Sequence, residues 1–166
     1  MKTNTEKKNH AEENANGWLE TIIDQVNALE MDWERYEELK DTDEADLTDA
    51  EKAELAELKE TATLENEEFK NADAVRERIE EEPLSVQVRS GWYMPGAEQE
   101  KPEEFEILLS TGGPALRIIG DLDDNGEPER PRLQYQDWFT SWIERITTST
   151  ENKALLSWCF CFYFGD

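Results

Sequence analysis

Residues 104–128, EFEILLSTGGPALRIIGDLDDNGEP, decide the fold that the sequence predicts. Apolar residues alternate with others in two short runs, which is the period of a β-strand with one buried face. The apolar positions of these runs are Phe105, Ile107, Leu109, Leu116 and Ile118. Residues 111–114, TGGP, are typical of a tight hairpin connection between the runs, and residues 124–126, DNG, are typical of a second one. The stretch therefore predicts two antiparallel strands and a turn into a third.

Two flanking runs complete a predicted four-stranded antiparallel sheet: residues 84–93, LSVQVRSGWY, and residues 132–138, RLQYQDW. The alternating apolar positions of these runs are Val86, Val88, Leu133 and Tyr135. The segment TENKALLSWCFCFYF, which follows Ser149, predicts a C-terminal helix that covers the apolar face of the sheet. Its covering residues are Leu155, Leu156, Trp158, Cys159, Phe162 and Tyr163. Residues 84–166 are therefore predicted to form a small α+β domain.

The two cysteines, Cys159 and Cys161, lie close together in an apolar stretch. A disulfide between them would be strained and would close almost no loop. The only histidine is His10, so the two thiols cannot complete a four-ligand zinc site. We expect buried, reduced thiols, as in a cytoplasmic protein, and no cofactor.

The turn after the third run resembles part of a calcium site. Its side chains match positions 1, 3, 5 and 6 of an EF-hand loop: Asp121, Asp123, Asn125 and Gly126. Arg132, however, stands at position 12, where that loop needs a bidentate glutamate. The same residues suit a turn between strands, so we predict a turn and no tight metal site. Calorimetry that showed micromolar or better affinity for calcium or zinc would contradict this prediction.

In the N-terminal half, the period changes to that of a helix. Apolar residues recur at spacings of four and three, a heptad seam made of Ala15, Leu19, Ile22, Val26, Leu29, Trp33 and Tyr36. The seam predicts one helix over residues 15–40, about 39 Å long at 1.5 Å per residue. Its apolar stripe needs a partner, which is either another helix of the chain or a second copy of the chain.

A second predicted helix supplies such a partner. Thr48 and Glu51 form a capping-box pair, and the helix is predicted to extend through an apolar face made of Leu55, Leu58, Ala62 and Phe69. The connection between the two helices is polar and short, which favours an antiparallel helical hairpin.

The ends of the helical region also follow from the sequence. A third helix is predicted to begin at Asn71 or Asp73 and to stop before Pro83. Residues 1–12 are polar and aperiodic, which predicts a mobile tail. The predicted organisation is thus a tail over residues 1–12, an acidic helical region over 13–83 and the α+β domain over 84–166.

The formal net charge of −24 excludes several classes of partner. Such a chain repels nucleic acid and anionic membranes, and it is attracted to basic surfaces of other proteins. Neither a secretory leader nor an apolar run of about 18 residues is evident, so we expect a cytoplasmic protein. The helical region, residues 1–83, carries a net charge of −17, and residues 84–166 carry −7.

The charge is densest around residues 41–60, DTDEADLTDAEKAELAELKE. Like charges at i,i+4 destabilise a helix, and fewer acids would suffice for solubility. Residues 13–70 carry a net charge of −15 over about 42 Å of helix, or about one charge per 3 Å, the same order as the one per about 1.7 Å of duplex DNA. The predicted partner-binding residues are Glu30, Glu34, Glu37, Glu38, Asp41, Asp43, Glu44, Glu54 and Glu57. An acidic surface that is only solvated, and a halophilic composition, are the alternatives.

Catalysis is not predicted. The only histidine lies in the predicted tail, which disfavours histidine-based acid–base chemistry and histidine-activated nucleophiles. A hydrolase with paired carboxylates needs one of them in an apolar pocket. Only Glu104, Glu106 and Asp137 are flanked by core-like residues, and a pocket for them is not evident in the sequence.

The C-terminal half adds a resemblance. The strings QVRSGWYMPG, STGGPALRI, YQDW and CFYFGD, within residues 84–166, resemble a family of uncharacterised proteins carried by bacterial phages and mobile elements. That resemblance implies no activity. Small, highly acidic phage proteins are similar in type to anti-restriction and anti-CRISPR inhibitors, several of which imitate DNA. The acidic half lies outside the resemblance.

The sequence therefore predicts a non-enzymatic counter-defence inhibitor from a phage or mobile element. Its acidic helices would bind the basic nucleic-acid-binding surface of a host defence complex as a DNA mimic, and Trp92, Tyr93 or Trp138 would add apolar contacts. The alternative is a structural or assembly protein that forms oligomers, such as a homodimer, through its helical seam.

Overall fold

The computed structural model describes residues 4–98 and 100–165 of the chain, and it has an α+β fold. Five of its elements are helices: α1 (Asn4–Glu30), α2 (Trp33–Asp41), α3 (Asp49–Thr61), α4 (Ala72–Glu81) and α5 (Ser149–Cys159). Two short strands form a small hairpin: β1 (Thr63–Leu64) and β2 (Glu67–Glu68). Five strands form the main antiparallel sheet: β3 (Ser85–Arg89), β4 (Glu104–Ser110), β5 (Ala115–Leu122), β6 (Pro128–Gln136) and β7 (Ile143–Glu144).

The main sheet is a meander in which each strand pairs with its neighbours in sequence. The prediction of four antiparallel strands is confirmed for β3 to β6, but the sheet has a fifth strand, β7. Ile143 lies opposite Tyr135, and Glu144 lies opposite Gln134. Two residues are too few for a periodic pattern, so the sequence does not indicate this strand.

The turn between β5 and β6 forms as expected. The carboxylate of Asp123 accepts hydrogen bonds from the backbone N–H groups of Asn125 and Glu127, at 2.8 and 2.9 Å. These hydrogen bonds lower the pKa of Asp123, and the one from Glu127 has the largest effect. Gly126 has a φ of +79°, which a residue without a Cβ adopts freely. Asp121 lies 3.1 Å from the guanidinium of Arg130, so both acids that match calcium-ligand positions, Asp121 and Asp123, have partners within the chain.

The heptad seam of α1 is buried, as expected, but its partners differ from the prediction. Ala15, Leu19, Ile22 and Val26 are at most 4% exposed. They belong to one hydrophobic core with residues of α4, α5 and the main sheet, such as Val75 and Leu155. The predicted hairpin between a long first helix and the second is therefore wrong, because α4, α5 and β6 cover the seam. The core also crosses the boundary between residues 83 and 84.

The predicted single helix over 15–40 is wrong as well, because two helices occupy this segment. Asp32 ends the first helix and begins the next, since its side chain caps α2 by accepting the N–H of Arg35 at 2.9 Å. The indole N–H of Trp33 donates to the carbonyl of Ala28 at 2.9 Å, which satisfies one of the terminal carbonyls of α1.

The helix predicted from Thr48 to Phe69 begins with its expected capping box, but it ends at Thr61. The turn between β1 and β2 follows it. Glu65 and Asn66 have φ values of +49° and +68°, and a turn of two such residues suits a two-residue hairpin. Phe69 is 8% exposed and so reaches the core from a strand end rather than from a helix. The third helix has its N-cap at Asn71 and ends before Pro83, as predicted.

The mobile tail predicted over residues 1–12 is wrong where the structure describes it. Residues 4–12 belong to α1, and Ala11 is 1% exposed in the core. Ala11 precedes Ala15 by four residues and continues the heptad seam by one turn, which explains why the helix extends there. Residues 1–3 lie outside the described part.

The C-terminal helix covers both the sheet and α1. Its N-cap is Thr148, one residue earlier than predicted, because Thr148 and Glu151 form a capping box. Leu155, Trp158 and Cys159 are buried, whereas Tyr163, which was expected to cover the sheet, is 73% exposed. Both cysteines are free and buried, and burial raises the pKa of each thiol.

A polar network inside the core joins three helices. The indole N–H of Trp158 donates to Gln25 Oε1 at 2.7 Å, and Gln25 Nε2 donates to Glu82 Oε1 at 2.9 Å. Arg78 lies 3.4 Å from the same Glu82 oxygen. Gln25 is 3% exposed, so both ends of its amide are satisfied without water. The network fixes the C-terminal helix to α1 and to Glu82, the C-cap residue of α4.

Gly120 lies where two strands and an aromatic ring meet, and Gly120→Ala should lower the free energy of unfolding by about 1–3 kcal/mol. A Cβ there would lie 2.5 Å from the ring of Phe105 and 2.8 Å from the carbonyl oxygen of Glu129. Urea denaturation checks this. The control is Gly17→Ala, since a Cβ at that helical position meets nothing within 4 Å and should be neutral or slightly stabilising. Equal effects of the two substitutions would contradict the prediction.

Candidate functional site

Residues 30–68, called the acidic hairpin below, contain α2, α3, β1 and β2, with 17 acidic and four basic side chains. Few of its side chains are buried. In α2 these are Tyr36 and Leu39, in the connection Leu47, in α3 none, and just after α3 Ala62. Because so little of the hairpin faces inward, its shape depends on ion pairs and hydrogen bonds between its elements.

Arg35 connects α2 to α3. Its Nε and Nη2 atoms lie 3.2 and 3.0 Å from the two carboxylate oxygens of Glu54, a bidentate arrangement. Its Nη1 lies 2.9 Å from Glu38 on the same helix, and Glu51 is 3.8 Å from Nη2. Arg35 lowers the pKa of Glu54 through these hydrogen bonds. One guanidinium therefore holds three carboxylates.

Glu68 of β2 connects the other side of the hairpin. Its carboxylate accepts hydrogen bonds from Lys40 Nζ at 2.6 Å and from the hydroxyl of Tyr36 at 2.7 Å. Lys59 of α3 lies 3.9 Å from its second oxygen. Lys40 and Tyr36 lower the pKa of Glu68. This carboxylate therefore links α2, α3 and β2.

The buried ring of Tyr36 gives this link a signature at alkaline pH. Burial, together with the bond to Glu68, raises the pKa of Tyr36 to about 12. The unfolded chain loses this proton near pH 10, so the free energy of unfolding should fall as the pH rises from about 10 to about 12. Tyr36→Phe should reduce that fall, as measured by urea denaturation across this range. An identical fall in both proteins would contradict the assignment.

These links use most of the bases of the acidic hairpin, whereas most of its acids take part in no ion pair among the described residues. Arg35, Lys40 and Lys59 are ion-paired, which leaves Lys52. Five of the 17 acids have an ion-pair partner: Glu38, Glu51, Glu54, Glu65 and Glu68. The other 12 are exposed and have no ion-pair partner within the part of the chain that is described: Glu30, Asp32, Glu34, Glu37, Asp41, Asp43, Glu44, Asp46, Asp49, Glu57, Glu60 and Glu67.

The nine predicted partner-binding residues divide between these two groups. Glu38 and Glu54 belong to the Arg35 links. The other seven are among the exposed acids: Glu30, Glu34, Glu37, Asp41, Asp43, Glu44 and Glu57. The ion pair between Arg35 and Glu38 could have been predicted from the sequence, because the two residues are three apart on one helix. The pair of Arg35 with Glu54, 19 residues apart, depends on how α3 folds back, which the sequence does not specify.

The aromatic residues expected to add apolar contacts are exposed. Trp92 and Tyr93 lie in the loop between β3 and β4, and their exposed fractions are 103% and 47%. Trp138 lies in the loop between β6 and β7, where its indole packs against Gly113 and remains 57% exposed. The two loops extend from opposite ends of the main sheet. The three rings therefore cannot form one patch.

The carboxylates considered for hydrolysis are engaged elsewhere. Glu104 pairs with Arg89, which lowers the pKa of Glu104, and Glu106 lies 2.6 Å from Arg117. Asp137 accepts the N–H of Trp138 at the other end of the sheet. A general acid needs a raised pKa, so Glu104 is unsuited to that role.

Comparisons with protein-family models, curated proteins and solved structures find no match for this chain. The resemblance of residues 84–166 to phage and mobile-element proteins therefore stays a prediction. None of the helices among the described residues combines the length and apolar character needed to cross a membrane.

Proposed function

We propose that this protein is a non-enzymatic inhibitor that binds a basic nucleic-acid-binding surface of another protein through its acidic hairpin. The observation that supports the proposal most is the separation of roles within the hairpin. Its bases, apart from Lys52, form internal links, whereas 12 exposed acids have no ion-pair partner among the described residues. A helix that was acidic only for solubility would gain stability by pairing its acids with lysines at i,i+4.

The negative electrostatic field of the acidic hairpin supports the proposal that the protein imitates a nucleic acid. Twelve carboxylates and one lysine of the acidic hairpin lack an ion-pair partner among the described residues, and they lie on two short helices and their connections. Proteins that bind DNA do so through rows of lysine and arginine that replace condensed counterions. The same rows would meet a comparable anionic field here. Fixed helices held by Arg35 and Glu68 would present that field with little loss of conformational entropy on binding.

We further propose that the target is a host defence complex, such as a restriction or CRISPR system, encountered in the bacterial cytoplasm. Support for this part comes from the resemblance of residues 84–166 to proteins of phages and mobile elements, and from the acidic character that this protein shares with known inhibitors. Direct binding to nucleic acid or to anionic membranes is not expected for a net charge of −24.

The alternative, assembly through the heptad seam, has less support. The seam residues Ala15, Leu19, Ile22 and Val26 are already buried within one chain. A second copy could use them only if α4 or α5 moved away, at the cost of exposing the core. Light scattering at several concentrations tests this alternative, which requires a dimer that is insensitive to salt.

The proposal is tested by capture of partners from a bacterial host with the immobilised protein, followed by mass spectrometry and competition. We expect the captured protein to bind nucleic acid, and we expect both salt and a DNA duplex to release it. A captured protein that still binds its DNA normally while saturated with this chain would contradict the proposal.

A further inference from the structure

The strand β3 forms an open edge of the main sheet. Within the described residues, β4 is its only neighbour. The carbonyl of Arg89 faces β4, since it accepts the N–H of Glu103 at 2.9 Å. The pairing of β3 with β4 is regular over residues 85–89, and backbone groups alternate in direction along a strand. The N–H and C=O groups of Val86 and Val88 therefore point away from β4, toward the open edge.

The side chains of the same residues form an uncovered apolar row. Val86 lies opposite Ile107, and Val88 lies opposite Phe105, so both share the face that elsewhere carries the core. Ile107 and Phe105 are at most 2% exposed. Val86 and Val88, by contrast, are 38% and 43% exposed, and Leu84, just before the strand, is 60% exposed. The helices that cover the sheet thus stop short of β3.

The surroundings of this edge are acidic. Residues 80–106 contain eight acidic and two basic side chains. Two exposed acids, Glu80 and Glu81, precede the strand, and three more, Glu98, Glu100 and Glu103, lie in the loop that follows it. Open edges in proteins are usually blocked by lysine, proline or a bulge. The strand itself, SVQVR, contains neither lysine nor proline, and its pairing is regular. Its one charged residue, Arg89, is the last of the strand and is paired with Glu104 of β4.

We propose that β3 is a docking strand for an extended, basic peptide segment of a partner protein, which adds to the edge of the sheet. Backbone hydrogen bonds to Val86 and Val88 supply the pairing. Every second side chain of the segment is apolar and packs on the row of Leu84, Val86 and Val88. The intervening side chains are lysine or arginine, which the acids flanking the strand attract. This surface is separate from the acidic hairpin and does not depend on it.

Charge favours this occupant over a second copy of the chain. Pairing of β3 with β3 of another molecule would bring together two chains of net charge −24 each. It would also place the acidic flanks of one strand beside those of the other, which costs free energy at moderate salt. A basic peptide meets the same flanks with opposite charge.

The test uses the full chain carrying Glu30→Gln, Glu34→Gln, Glu37→Gln and Glu57→Gln, so that basic peptides have fewer charges to contact on the acidic hairpin. The probe is a capped peptide of about nine alternating valine and lysine residues, which is enough to span the strand. Amide hydrogen exchange is followed by NMR. We expect the peptide to slow exchange of the Val86 and Val88 amides at least about tenfold, without equal slowing in α3.

Two controls separate strand addition from simple charge attraction. A peptide with glutamate in place of lysine, and a valine–lysine peptide N-methylated at alternate residues, should not protect these amides. Val86→Pro, which removes one outward N–H at a position where an edge strand tolerates proline, should abolish binding, whereas Val86→Thr should retain it. The N-methylated peptide keeps the test valid if Val86→Pro fails to fold.

Three results would overturn the proposal. The first is peptide binding that leaves exchange at Val86 and Val88 unchanged, and the second is equal binding of the N-methylated peptide. The third is protection of these amides that rises with protein concentration alone, which would assign the edge to a second copy. None of these outcomes bears on the acidic hairpin, so this proposal can fail while the proposed function stands.

Discussion

Trp158→Ala is expected to lower the free energy of unfolding by about 3–5 kcal/mol, the range for removal of a large buried aromatic side chain. Trp158 is 0% exposed, and it is the largest fully buried side chain in the part of the chain that the structure describes. Its ring packs against Phe162, with 4.8 Å between ring centroids. Its N–H donates to Gln25, 133 residues away in sequence. The substitution therefore opens a cavity and leaves the Gln25 carbonyl oxygen without its donor inside the core.

Urea denaturation measures this loss, and two variants separate its causes. Trp158→Phe keeps most of the ring but not the N–H, so it should cost about 1–3 kcal/mol, the penalty for an unsatisfied buried acceptor. Trp92→Ala makes the same chemical change at a side chain that is 103% exposed, and it should cost less than about 0.5 kcal/mol. If Trp158→Ala and Trp92→Ala proved equally mild, the C-terminal helix would not hold the core together as described.

The heptad seam shows how far sequence reasoning reaches. Its spacing correctly identifies which residues of α1 are buried, because a 3.6-residue period places them on one face. It cannot identify what covers that face, since α5 begins 119 residues after the end of α1 and nothing local specifies the pairing. The hairpin prediction chose the nearest helix in sequence. In the structure, the seam packs instead against α5, which is more apolar than the second predicted helix and carries Leu155 and Trp158.

Strand β3 shows a different limit of prediction from sequence, which concerns the exposure of its side chains. Alternation at Val86 and Val88 correctly predicts a strand, and the register places both residues on the core side of the sheet. Whether that side is covered depends on how far the helices extend across the sheet. A central and an edge strand have the same alternating pattern, so the exposure of these two valines could not be predicted.

For the candidate site, sequence reasoning located the charge but not its internal links. All nine predicted acids lie in the acidic hairpin, and seven of them are exposed without an ion-pair partner among the described residues. Glu38 and Glu54 were expected to bind a partner, yet they hold Arg35. The difference matters for experiments, because neutralising Glu54 would loosen the hairpin as well as remove a charge. Variants that test binding should therefore avoid both residues.

Neutralising four free acids should separate binding from folding. We expect Glu30→Gln, Glu34→Gln, Glu37→Gln and Glu57→Gln, combined in one variant, to weaken binding to the captured nucleic-acid-binding partner by more than about tenfold at moderate salt. Glutamine keeps the size and the helix propensity of glutamate, so the fold should be retained. Stability should stay equal or rise slightly, since repulsion between neighbouring acids is relieved.

The matched control removes the same number of charges elsewhere. Glu12, Glu20, Glu77 and Glu127 are exposed and lie outside the acidic hairpin, and changing all four to glutamine removes the same number of negative charges. If the acidic hairpin is the binding surface, the control should lose much less affinity than the test variant. The logarithm of affinity should also depend less steeply on the logarithm of salt concentration in the test variant, because fewer counterions are exchanged. Binding that survived the test variant, or fell equally in both, would show that net charge or another surface provides the attraction.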